Sequence, residues 1–433
     1  MLLMWLRYYL DLFERAHELP PLQSLSFPIE RATGVIPPFR YHFTVDLPIR
    51  YCSRCIMPET QEGQRFDEFG ICNVCRSAEE KMRINWKQKK EELTQILFEA
   101  KERNADKEYD CLVPISGGKD SMFQLHVLVK EFGMRPLAAT FSHNWFSSVG
   151  IFNLFNAIEK FDIDHVMFTP KRSLVNKLAK KSISKIGDAC WHCHAGVGAY
   201  PLRVARDYGI DLVIWGESAA ESSSRGTYKN SVLKFDQDYF HKVSAKLKPK
   251  EFEDKDLPLR DLKKFEALSS IEYQKASIYG IHLGDFIFWD EERQTEFVIK
   301  EYGWREDFVE GTYKGYKSAE CIMPGVHDFA CYLKRGFGRT SFHLSSDIRS
   351  GLVSRDDINQ ELIDIERTVP GGLAYFSEIT DIDLEEFVNL IEPHKQGNLK
   401  GVQLPILESN KHLPKKRLFI EDLKTWLDKE IID

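Results

Sequence analysis

The feature that most constrains the fold is a short apolar run that breaks into a glycine loop, CLVPISGGKDS at 111–121. The run 110–115 is predicted to be a buried strand, and SMFQLHVLVKEF at 121–132 is predicted to be a helix. A strand, a glycine loop and a helix in this order direct backbone N–H groups and the positive end of a helix at one point. The chain is therefore expected to bind an anionic group at this loop.

Strands and helices alternate beyond the loop. Further strands are predicted at 135–141, 164–168 and 211–215, and helices at 150–161 and 172–186. Such alternation is typical of a parallel sheet with right-handed crossovers, and ligands bind such sheets at the carboxyl ends of the strands. Besides the glycine loop, the residues expected at those ends are Phe141, Ser142, His143, Gly216 and Glu217.

The rest of the chain surrounds this α/β region. We divide the sequence into an N-terminal helix and extended arm (1–50), a cysteine module (51–80), a connecting helix (81–108), the α/β domain (109–345) and a mainly helical C-terminal region (346–433). Apolar spacing predicts helices at 86–104, 291–302, 355–366 and 416–431, and an amphipathic helix over 1–19. The predicted fold class is α/β, with a small module before the sheet and helices after it.

Composition argues against several classes of function. The 59 basic and 66 acidic side chains give a net charge of −7, so no global basic field attracts nucleic acid. No run of about 18 uncharged apolar residues is present, so no membrane span is expected. The N-terminal apolar block lacks the order of a signal peptide, and six of the nine cysteines form three C-x-x-C pairs. These features predict a cytoplasmic protein that uses cysteine for metal or redox work.

The residues of the glycine loop suit a nucleotide phosphate. The glycines let the backbone approach an anion closely, and two hydroxyls add donors. These four residues are Ser116, Gly117, Gly118 and Ser121. Lys119 is expected to add a mobile positive charge, and we assign Asp120 to Mg²⁺ because its carboxylate would otherwise repel a phosphate. The alternative is a glycine turn without a ligand, which the whole cluster in this setting argues against.

Four cysteines match a structural zinc pattern. Their spacing is C-x₂-C-x₁₆-C-x₂-C, formed by Cys52, Cys55, Cys72 and Cys75. Four thiolates fill a tetrahedral Zn²⁺ site and leave no open position, so this module is expected to be a zinc ribbon with a structural task. Two separate redox pairs are the alternative.

The third cysteine pair, in CWHCH at 190–194, leaves two interpretations open. Cys190 and Cys193, with a distant third cysteine such as Cys321, would suit an iron–sulfur cluster, as in some tRNA thiolases. Alternatively, the two cysteines and His192 line a substrate pocket. The pocket is favoured over the cluster, because one sequence does not identify the third cysteine.

A basic, aromatic segment lies at 327–343, HDFACYLKRGFGRTSFH. Its cations Lys334, Arg335 and Arg339 lie among aromatic residues and glycines. Guanidinium groups and an ammonium in this setting suit the phosphates of a nucleotide or sugar diphosphate. The alternative is a solvated helix end followed by a glycine turn.

The loop sequence SGGKDS is similar to the SGGxDS signature of the PP-loop ATP pyrophosphatases, which are adenine nucleotide alpha hydrolase-like proteins. The resemblance implies that ATP is cleaved between its α- and β-phosphates while a substrate oxygen attacks the α-phosphorus. GESAAE at 216–221 resembles the G-E-G-x-D-E stretch of asparagine synthetases, which implies that Glu217 handles the proton of incoming ammonia. Glu221 matches the last position of that stretch, whereas Ala220 replaces the Asp of the pattern.

The order of the motifs resembles a narrower family. As in the N-acetyl sugar amidotransferases of bacterial surface-polysaccharide and flagellin-glycan biosynthesis, the chain carries in order YCSRC, GICNVC, YDCLVPISGGKDS, PLAATFSHNW, GDACWHCH, IWGESAAE and HDFACYLKRGFGR. The resemblance covers about 50–350, and the long arm before the cysteine module departs from it. It implies that an N-acetyl group on a nucleotide- or lipid-linked sugar is adenylated. Ammonia then displaces AMP to form an acetamidino group, with ATP, Mg²⁺ and structural Zn²⁺ in use.

The same resemblance implies partners. No glutaminase domain is visible, so a glutaminase subunit and a cyclase-like subunit are expected to supply ammonia. One alternative is a PP-loop tRNA-thiolating enzyme, which the zinc module and Cys190 with Cys193 favour and the acidic balance opposes. A second alternative is a zinc-ribbon binding protein with an inactive nucleotide fold, which the intact SGGKDS opposes.

Overall fold

A parallel sheet lies at the centre of the fold. The structure is a computed structural model, and it describes residues 47–218, 220, 228, 239, 245–409, 416 and 418–430, without the side chains of 426–430. Within these residues, five parallel strands lie in the order β3-β2-β1-β4-β5. The strands are β1 Cys111–Pro114, β2 Pro136–Phe141, β3 His165–Phe168, β4 Leu212–Trp215 and β5 Tyr279–His282.

Helices cover the sheet and continue beyond it. They are α1 Asn73–Lys81, α2 Trp86–Arg103, α3 Lys119–Leu125, α4 Ser148–Phe161, α5 Arg172–Ile186, α6 Trp191–Asp207, α7 Leu259–Leu262, α8 Ser270–Lys275, α9 Glu291–Tyr302, α10 Pro324–Arg335, α11 Arg339–Ser350, α12 Gln360–Arg367, α13 Gly372–Thr380, α14 Leu384–Ile391 and α15 Phe419–Glu430. A π-helical turn, His126–Glu131, continues α3. Shorter 3₁₀ turns lie at Pro249–Phe252, Lys263–Phe265, Leu283–Asp285, Arg355–Asp357, Glu392–His394 and Gly397–Leu399.

The side chains of β1 alternate between two apolar cores. Cys111 and Val113 pack into the core that α2, α3 and α4 cover, whereas Leu112 packs into the core on the other face, which α6 covers. Leu112 lies level with Leu137 of β2 and with Val213 of β4. Because both faces of the sheet are covered, its strands are continuous apolar runs, as the sequence suggested. The predicted α/β fold with a parallel sheet is confirmed.

The strand order creates a crevice beside β1. The chain passes from β1 to β2 on one side, and β4 lies on the other side of β1. Ligands of open parallel sheets bind where the direction of winding changes in this way, at the carboxyl ends of the strands. The glycine loop follows β1 and Gly216 follows β4, so the two motifs flank this crevice.

One predicted helix is divided in the structure, and several others differ by two or three residues at their starts. The stretch 355–366 is divided into a 3₁₀ turn, Arg355–Asp357, and α12, because Ser354 caps the turn and Asn359 caps a new helix start. The predicted helix at 1–19, most of the arm, and Glu221 lie outside the described residues. Within the described ranges, no helix is both long enough and apolar enough to cross a membrane.

Candidate active site

The loop after β1 requires glycine at its first turn. Gly117 has a φ of 83°, and a Cβ at this position would lie 2.4 Å from the carbonyl oxygen of Gly150. The indole Nε1–H of Trp304 donates a hydrogen bond to the carbonyl oxygen of Gly117 over 2.9 Å. The loop is therefore held in one shape, and the missing side chain lets its backbone pack closely against the start of α4.

The two hydroxyl groups of the loop make hydrogen bonds within it. Ser121 Oγ donates to the carbonyl oxygen of Gly118 over 2.8 Å, and Ser116 Oγ accepts the N–H of Gly118 at 3.3 Å. A Cβ at Gly118 would lie 3.8 Å from Glu320 Oε2, so this glutamate reaches the loop from a distant part of the chain. Glu320 is brought there because 320–322 runs beside 145–147, with Ser147 N–H donating to Glu320 O over 3.0 Å.

Lys119 is buried, which corrects the expectation of a mobile charge. Only 2% of its side chain is exposed, and Nζ lies 2.7 Å from Asp120 Oδ1 and 4.0 Å from Glu291 Oε1. Burial alone would lower the pKa of Lys119, but the carboxylates of Asp120 and Glu291 outweigh it and raise the pKa. Lys119 therefore remains a fixed cation. The Asp120 side chain is 39% exposed at the edge of the loop, open to a metal ion.

Sequence inspection missed a charged cluster that surrounds Lys119. Lys317 pairs with Glu291, which stands in the first turn of α9. The ammonium groups of Lys119, Lys314 and Lys317 lie 5.4 to 5.8 Å from the ring centre of Tyr316. Burial opposes ionisation of Glu291, but Lys119 and Lys317 lower its pKa to about 2. This side of the loop thus carries three fixed cations on an aromatic face.

Glu217 lies at the same place, directly after β4. Burial, followed by the neighbouring charge of Glu291, raises the pKa of Glu217 to about 8, although Lys317 and Lys119 act in the opposite direction. A carboxyl group with this pKa exchanges a proton near neutral pH. The next residues pack inward: Ser218 Oγ donates to Asp285, and Ala220 is buried.

The residues after β2 contribute backbone and one imidazole. The ring of Phe141 is buried against Phe168 and Phe265, so its side chain faces the core. Ser142 N–H donates to the carbonyl oxygen of Phe168 over 2.9 Å. His143 is 6% exposed, and its Nδ1 accepts the N–H of Trp145, while its buried Nε2 has no hydrogen-bond partner among the described residues. Ser142 Oγ accepts the N–H of Asn144 over 3.2 Å, and His143 keeps one ring nitrogen for a ligand.

The structure places Cys321 near the third cysteine pair. The backbone of Cys321 bridges to Phe146, and this brings its thiol close to those of Cys190 and Cys193. Burial, followed by the neighbouring thiols, raises the pKa of Cys193 well above its ordinary value. His192 is fully buried, and its Nε2 donates to the carbonyl oxygen of His143 over 3.2 Å. This hydrogen bond from His192 therefore holds the backbone of His143 in place.

The three cations of the basic segment have partners within the protein. Lys334 is buried, and Nζ donates to the carbonyl oxygens of Ile186 and Gly187, at the end of α5. Arg335 pairs with Glu62 of the cysteine module over 2.5 Å. Arg339 pairs with Asp328 over 2.5 Å and donates to Ser318 Oγ over 2.6 Å, and the charge of Glu320 acts on it. Arg339 is thus the cation of this segment that is associated with the loop.

The four cysteines of the N-terminal module converge. Cys52 Sγ lies 3.9 Å from Cys75 Sγ, and Cys55 Sγ lies 3.8 Å from Cys72 Sγ. Four ligands at the Zn–S distance of about 2.3 Å in a tetrahedron stand about 3.8 Å apart, so these thiols fit Zn²⁺. The module packs through its cysteines against Phe337. Its position against the body of the protein fits a structural task.

The missed residues had only weak signals in the sequence. Glu291 opens a helix after the capping residue Asp290, which is common for an acidic residue. Lys314 and Lys317 lie in an irregular stretch, TYKGYK at 312–317, with no periodicity. The only hint is the repeated Tyr-Lys pair, in which lysines and aromatic residues alternate in one short loop.

The strand order and the positions of the glycine loop and of Glu217 define a parallel α/β protein with a motif similar to the PP-loop signature at its crevice. Residues 310–401 match the family model described as "LPS biosynthesis protein WbpG-like, C-terminal domain". This domain includes α10 to α14 and the Lys314–Lys317 loop, so it supplies one wall of the site. The predicted resemblance to a surface-polysaccharide biosynthesis family is confirmed by this match.

Other relatives are more distant. An uncharacterized protein of Methanocaldococcus jannaschii is 21% identical over 313 residues, which cover 72% of this chain and 92% of that protein. Two solved structures are also similar. NMN synthetase from Francisella tularensis has a TM-score of 0.25 and 16% identity, covering 52% of this chain and 98% of that chain. A predicted subunit of tRNA methyltransferase from M. jannaschii has a TM-score of 0.22 and 17% identity, covering 45% and 87%.

Proposed function

We propose that this protein is an ATP-dependent, AMP-forming amidotransferase that acts on an N-acetylated sugar in surface-polysaccharide or flagellin-glycan biosynthesis. The observation that carries the proposal is the position of Glu217. It is a carboxyl group with a pKa of about 8, close to Lys119 of the glycine loop and to Lys317. A proton acceptor beside a pyrophosphate cradle suits a reaction that adenylates an oxygen and then admits ammonia. The match to a WbpG-like domain supports the choice of substrate class.

The first step is adenylation of the amide. An amide oxygen is a poor leaving group, so the acetamido oxygen attacks the α-phosphorus of ATP and the bond to the β-phosphate breaks. The products are an O-adenylyl imidate and pyrophosphate. The negative charge that develops on pyrophosphate is met by the N–H groups of the loop and by Lys119 and Lys317, which the protein already holds in place.

The second step is attack by ammonia. Nitrogen adds to the imidate carbon, the C–O bond to AMP breaks, and a proton leaves the new nitrogen. In its ionised form, Glu217 accepts this proton, and its raised pKa makes it a stronger base than an ordinary carboxylate. AMP carries away the oxygen that began as the amide oxygen, and the sugar keeps an acetamidino group.

Two metals fit the described residues. Asp120 is exposed at the edge of the loop, where its carboxylate would hold Mg²⁺, which would neutralise charge on the phosphates. The four cysteines of the module would hold Zn²⁺ in a closed site, so this ion would stabilise the fold without taking part in the reaction.

Ammonia would come from a separate glutaminase subunit, with a cyclase-like subunit completing the complex. We place the reaction in the cytoplasm, where ATP is available. A high concentration of ammonium chloride would replace these partners as the source of ammonia. The amidation reaction of this chain can therefore be tested on the purified protein alone.

A second candidate function has one supporting observation. Cys190 and Cys321 are both close enough to Cys193 for their charges to act on it, and three cysteines are common ligands of an iron–sulfur cluster. A tRNA-thiolating enzyme would use such a cluster. Iron and sulfide in anaerobically purified protein, together with sulfur transfer to tRNA, would favour this candidate.

The proposed function is tested with purified protein, ATP, Mg²⁺, ammonium chloride and a panel of UDP-, CMP- and lipid-linked N-acetyl sugars. AMP and pyrophosphate are expected in equal amounts, and only with an accepted sugar. The matching experiment in cells is mass spectrometry of the surface glycans of a deletion strain. One acetamidino group of the glycan should be replaced by an acetamido group. ADP as the nucleotide product, or unchanged glycans, would contradict the proposal.

A further inference from the structure

A second group of metal-binding side chains lies away from the cysteine module. Asp188 stands in the turn between α5 and α6, His194 in the first turn of α6, and His327 on α10. Asp188 and His194 are six residues apart in the sequence, whereas His327 comes from a distant part of the chain. One carboxylate oxygen and one ring nitrogen from each histidine all lie within 4.8 Å of one another.

The distances fit one ion. His327 Nδ1 lies 2.9 Å from Asp188 Oδ1, and His194 Nδ1 lies 3.7 Å from Asp188 Oδ2. Bonds of about 2.1 Å from nitrogen and oxygen to Zn²⁺ place two tetrahedral ligand atoms about 3.4 Å apart. The two observed separations, one to each carboxylate oxygen, lie on either side of this value, and one oxygen lies with both ring nitrogens within 4.8 Å. Small movements would therefore bring one ligand atom of each residue onto a common ion.

The neighbours of these ligands orient them as supporting groups do in metal sites. Asp188 Oδ1 accepts the backbone N–H of Cys190 over 2.8 Å. The other ring nitrogen of His327, Nε2, lies 3.8 Å from Cys331 Sγ. A histidine that binds a metal commonly uses its second N–H in this way, which fixes the tautomer and the plane of the ring.

An ion pair alone accounts for only part of the arrangement. The pair between Asp188 and His327 explains why these two side chains meet. It does not explain His194, whose Nδ1 faces the same carboxylate beyond hydrogen-bond distance, and whose ring makes no hydrogen bond within the described part of the chain. The nearby ammonium of Lys334 opposes a cation, but it is bound to two backbone carbonyl oxygens.

We propose that Asp188, His194 and His327 bind one divalent transition-metal ion, such as Zn²⁺. Two imidazoles and one carboxylate are ligands that Zn²⁺, Fe²⁺, Co²⁺ and Ni²⁺ share, and three protein ligands leave positions for water or for an oxygen of a ligand. The His194 side chain is 34% exposed, so an ion can reach this group from solvent. This set of ligands shares no residue with the cysteine module or with the loop after β1.

The test is a titration of the metal-free full-length protein with Co²⁺, followed by absorption spectroscopy and by metal analysis after dialysis. Two ions per chain are expected. One ion, in the cysteine module, gives thiolate-to-cobalt charge transfer, and the other gives only the ligand-field bands of nitrogen and oxygen ligands. His194→Ala and Asp188→Asn should keep the first signal and weaken binding at the second site by about 100-fold or more. His126→Gln changes a histidine that contacts Tyr302 instead, and it should keep both ions.

Each other result overturns the proposal. One ion per chain in the wild-type protein would mean that Asp188 and His327 form an ion pair only. Two ions in folded His194→Ala would place the second ion elsewhere. Charge transfer from the second ion would mean that a thiolate, and not this set, binds it. Because the wild-type count is decisive, a variant that fails to fold does not prevent the test.

Discussion

Lys119 Nζ, in the loop after β1, lies 4.0 Å from Oε1 of Glu291, in the first turn of α9. Lys317 pairs with the same carboxylate, so one glutamate joins two ammonium groups beside the glycine loop. The cations are therefore held by the protein, and little reorganisation is needed when charge develops on a leaving pyrophosphate. The same carboxylate also raises the pKa of Glu217, which couples the two halves of the proposed reaction.

Loss of charge at the loop should slow adenylation. Asp120→Asn and Lys119→Gln are each predicted to lower the rate of AMP formation by about 100-fold or more, because each removes a preorganised charge. Lys119 is buried and Asp120 is its nearest carboxylate, so both substitutions should also lower the unfolding temperature. Initial rates and thermal unfolding are the measurements. Lys130→Gln, in the turn that continues α3, is the control, and wild-type rates in both loop variants would refute this role.

Replacement of Glu217 should separate the two steps. Glu217→Gln keeps the size of the side chain but cannot accept a proton, so the adenylate should form while the amidine does not, even with excess ammonium chloride. Rapid-quench analysis of pyrophosphate and amidine measures each step. Glu131→Gln removes an exposed carboxylate that pairs with Lys90, and it should behave as the wild type. Normal amidine formation by Glu217→Gln would show that this residue is not the base.

The rate should follow ionisation of Glu217. Only ionised Glu217 accepts a proton, so at a fixed concentration of free ammonia the rate should rise with pH and reach its half-maximum near pH 8. A group with this pKa is about one-tenth ionised at pH 7, so a rise of about tenfold is expected between pH 7 and pH 9. Lys317 lowers the pKa of Glu217, and Lys317→Gln should therefore move the midpoint to higher pH.

A matched lysine variant controls for this shift. Lys300 lies on the exposed side of α9 and interacts with Glu301, so Lys300→Gln should leave the midpoint unchanged. A profile that is flat between pH 6 and pH 9, or a midpoint that Lys317→Gln moves to lower pH, would contradict the assigned electrostatics.

The cysteine module should require its metal to fold. Cys52→Ser is predicted to lower zinc content and unfolding temperature together, because the binding energy of a structural Zn²⁺ is also folding energy. Metal analysis and differential scanning calorimetry are the measurements. Cys111→Ala changes a buried cysteine of β1 and should retain zinc. An unchanged unfolding temperature in Cys52→Ser would contradict a structural zinc.

The local parts of the fold and site were predictable from the sequence. Strand β1, the glycine loop and the start of α3 are adjacent in the chain, and apolar burial and glycine conformations determine them locally. The spacing of Cys52, Cys55, Cys72 and Cys75 was likewise enough to predict that the four thiols meet at one site. Strand β5 was missed because YGIH is short and contains glycine, so its pairing with β4 decides its structure.

The contacts between distant segments were not predictable. Lys317 and Glu291 meet only because the loop at 312–317 folds over the start of α9, and neither residue has a local signature. Cys321 was uncertain for the same reason, since its bridge to Phe146 brings it near Cys193. The contact of Lys334 was not predictable either, because the ammonium of this basic segment binds backbone carbonyl oxygens at the end of α5.

The most direct test of the account follows the amide oxygen. An accepted sugar carrying ¹⁸O in its N-acetyl group is incubated with the protein, ATP, Mg²⁺ and ammonium chloride, and the nucleotide product is analysed by mass spectrometry. If the amide oxygen attacks the α-phosphorus and ammonia then displaces AMP, the label must appear in the phosphate of AMP, in amount equal to the amidine formed. Amidine formation with unlabelled AMP, or with the label in inorganic phosphate, would contradict the proposed reaction.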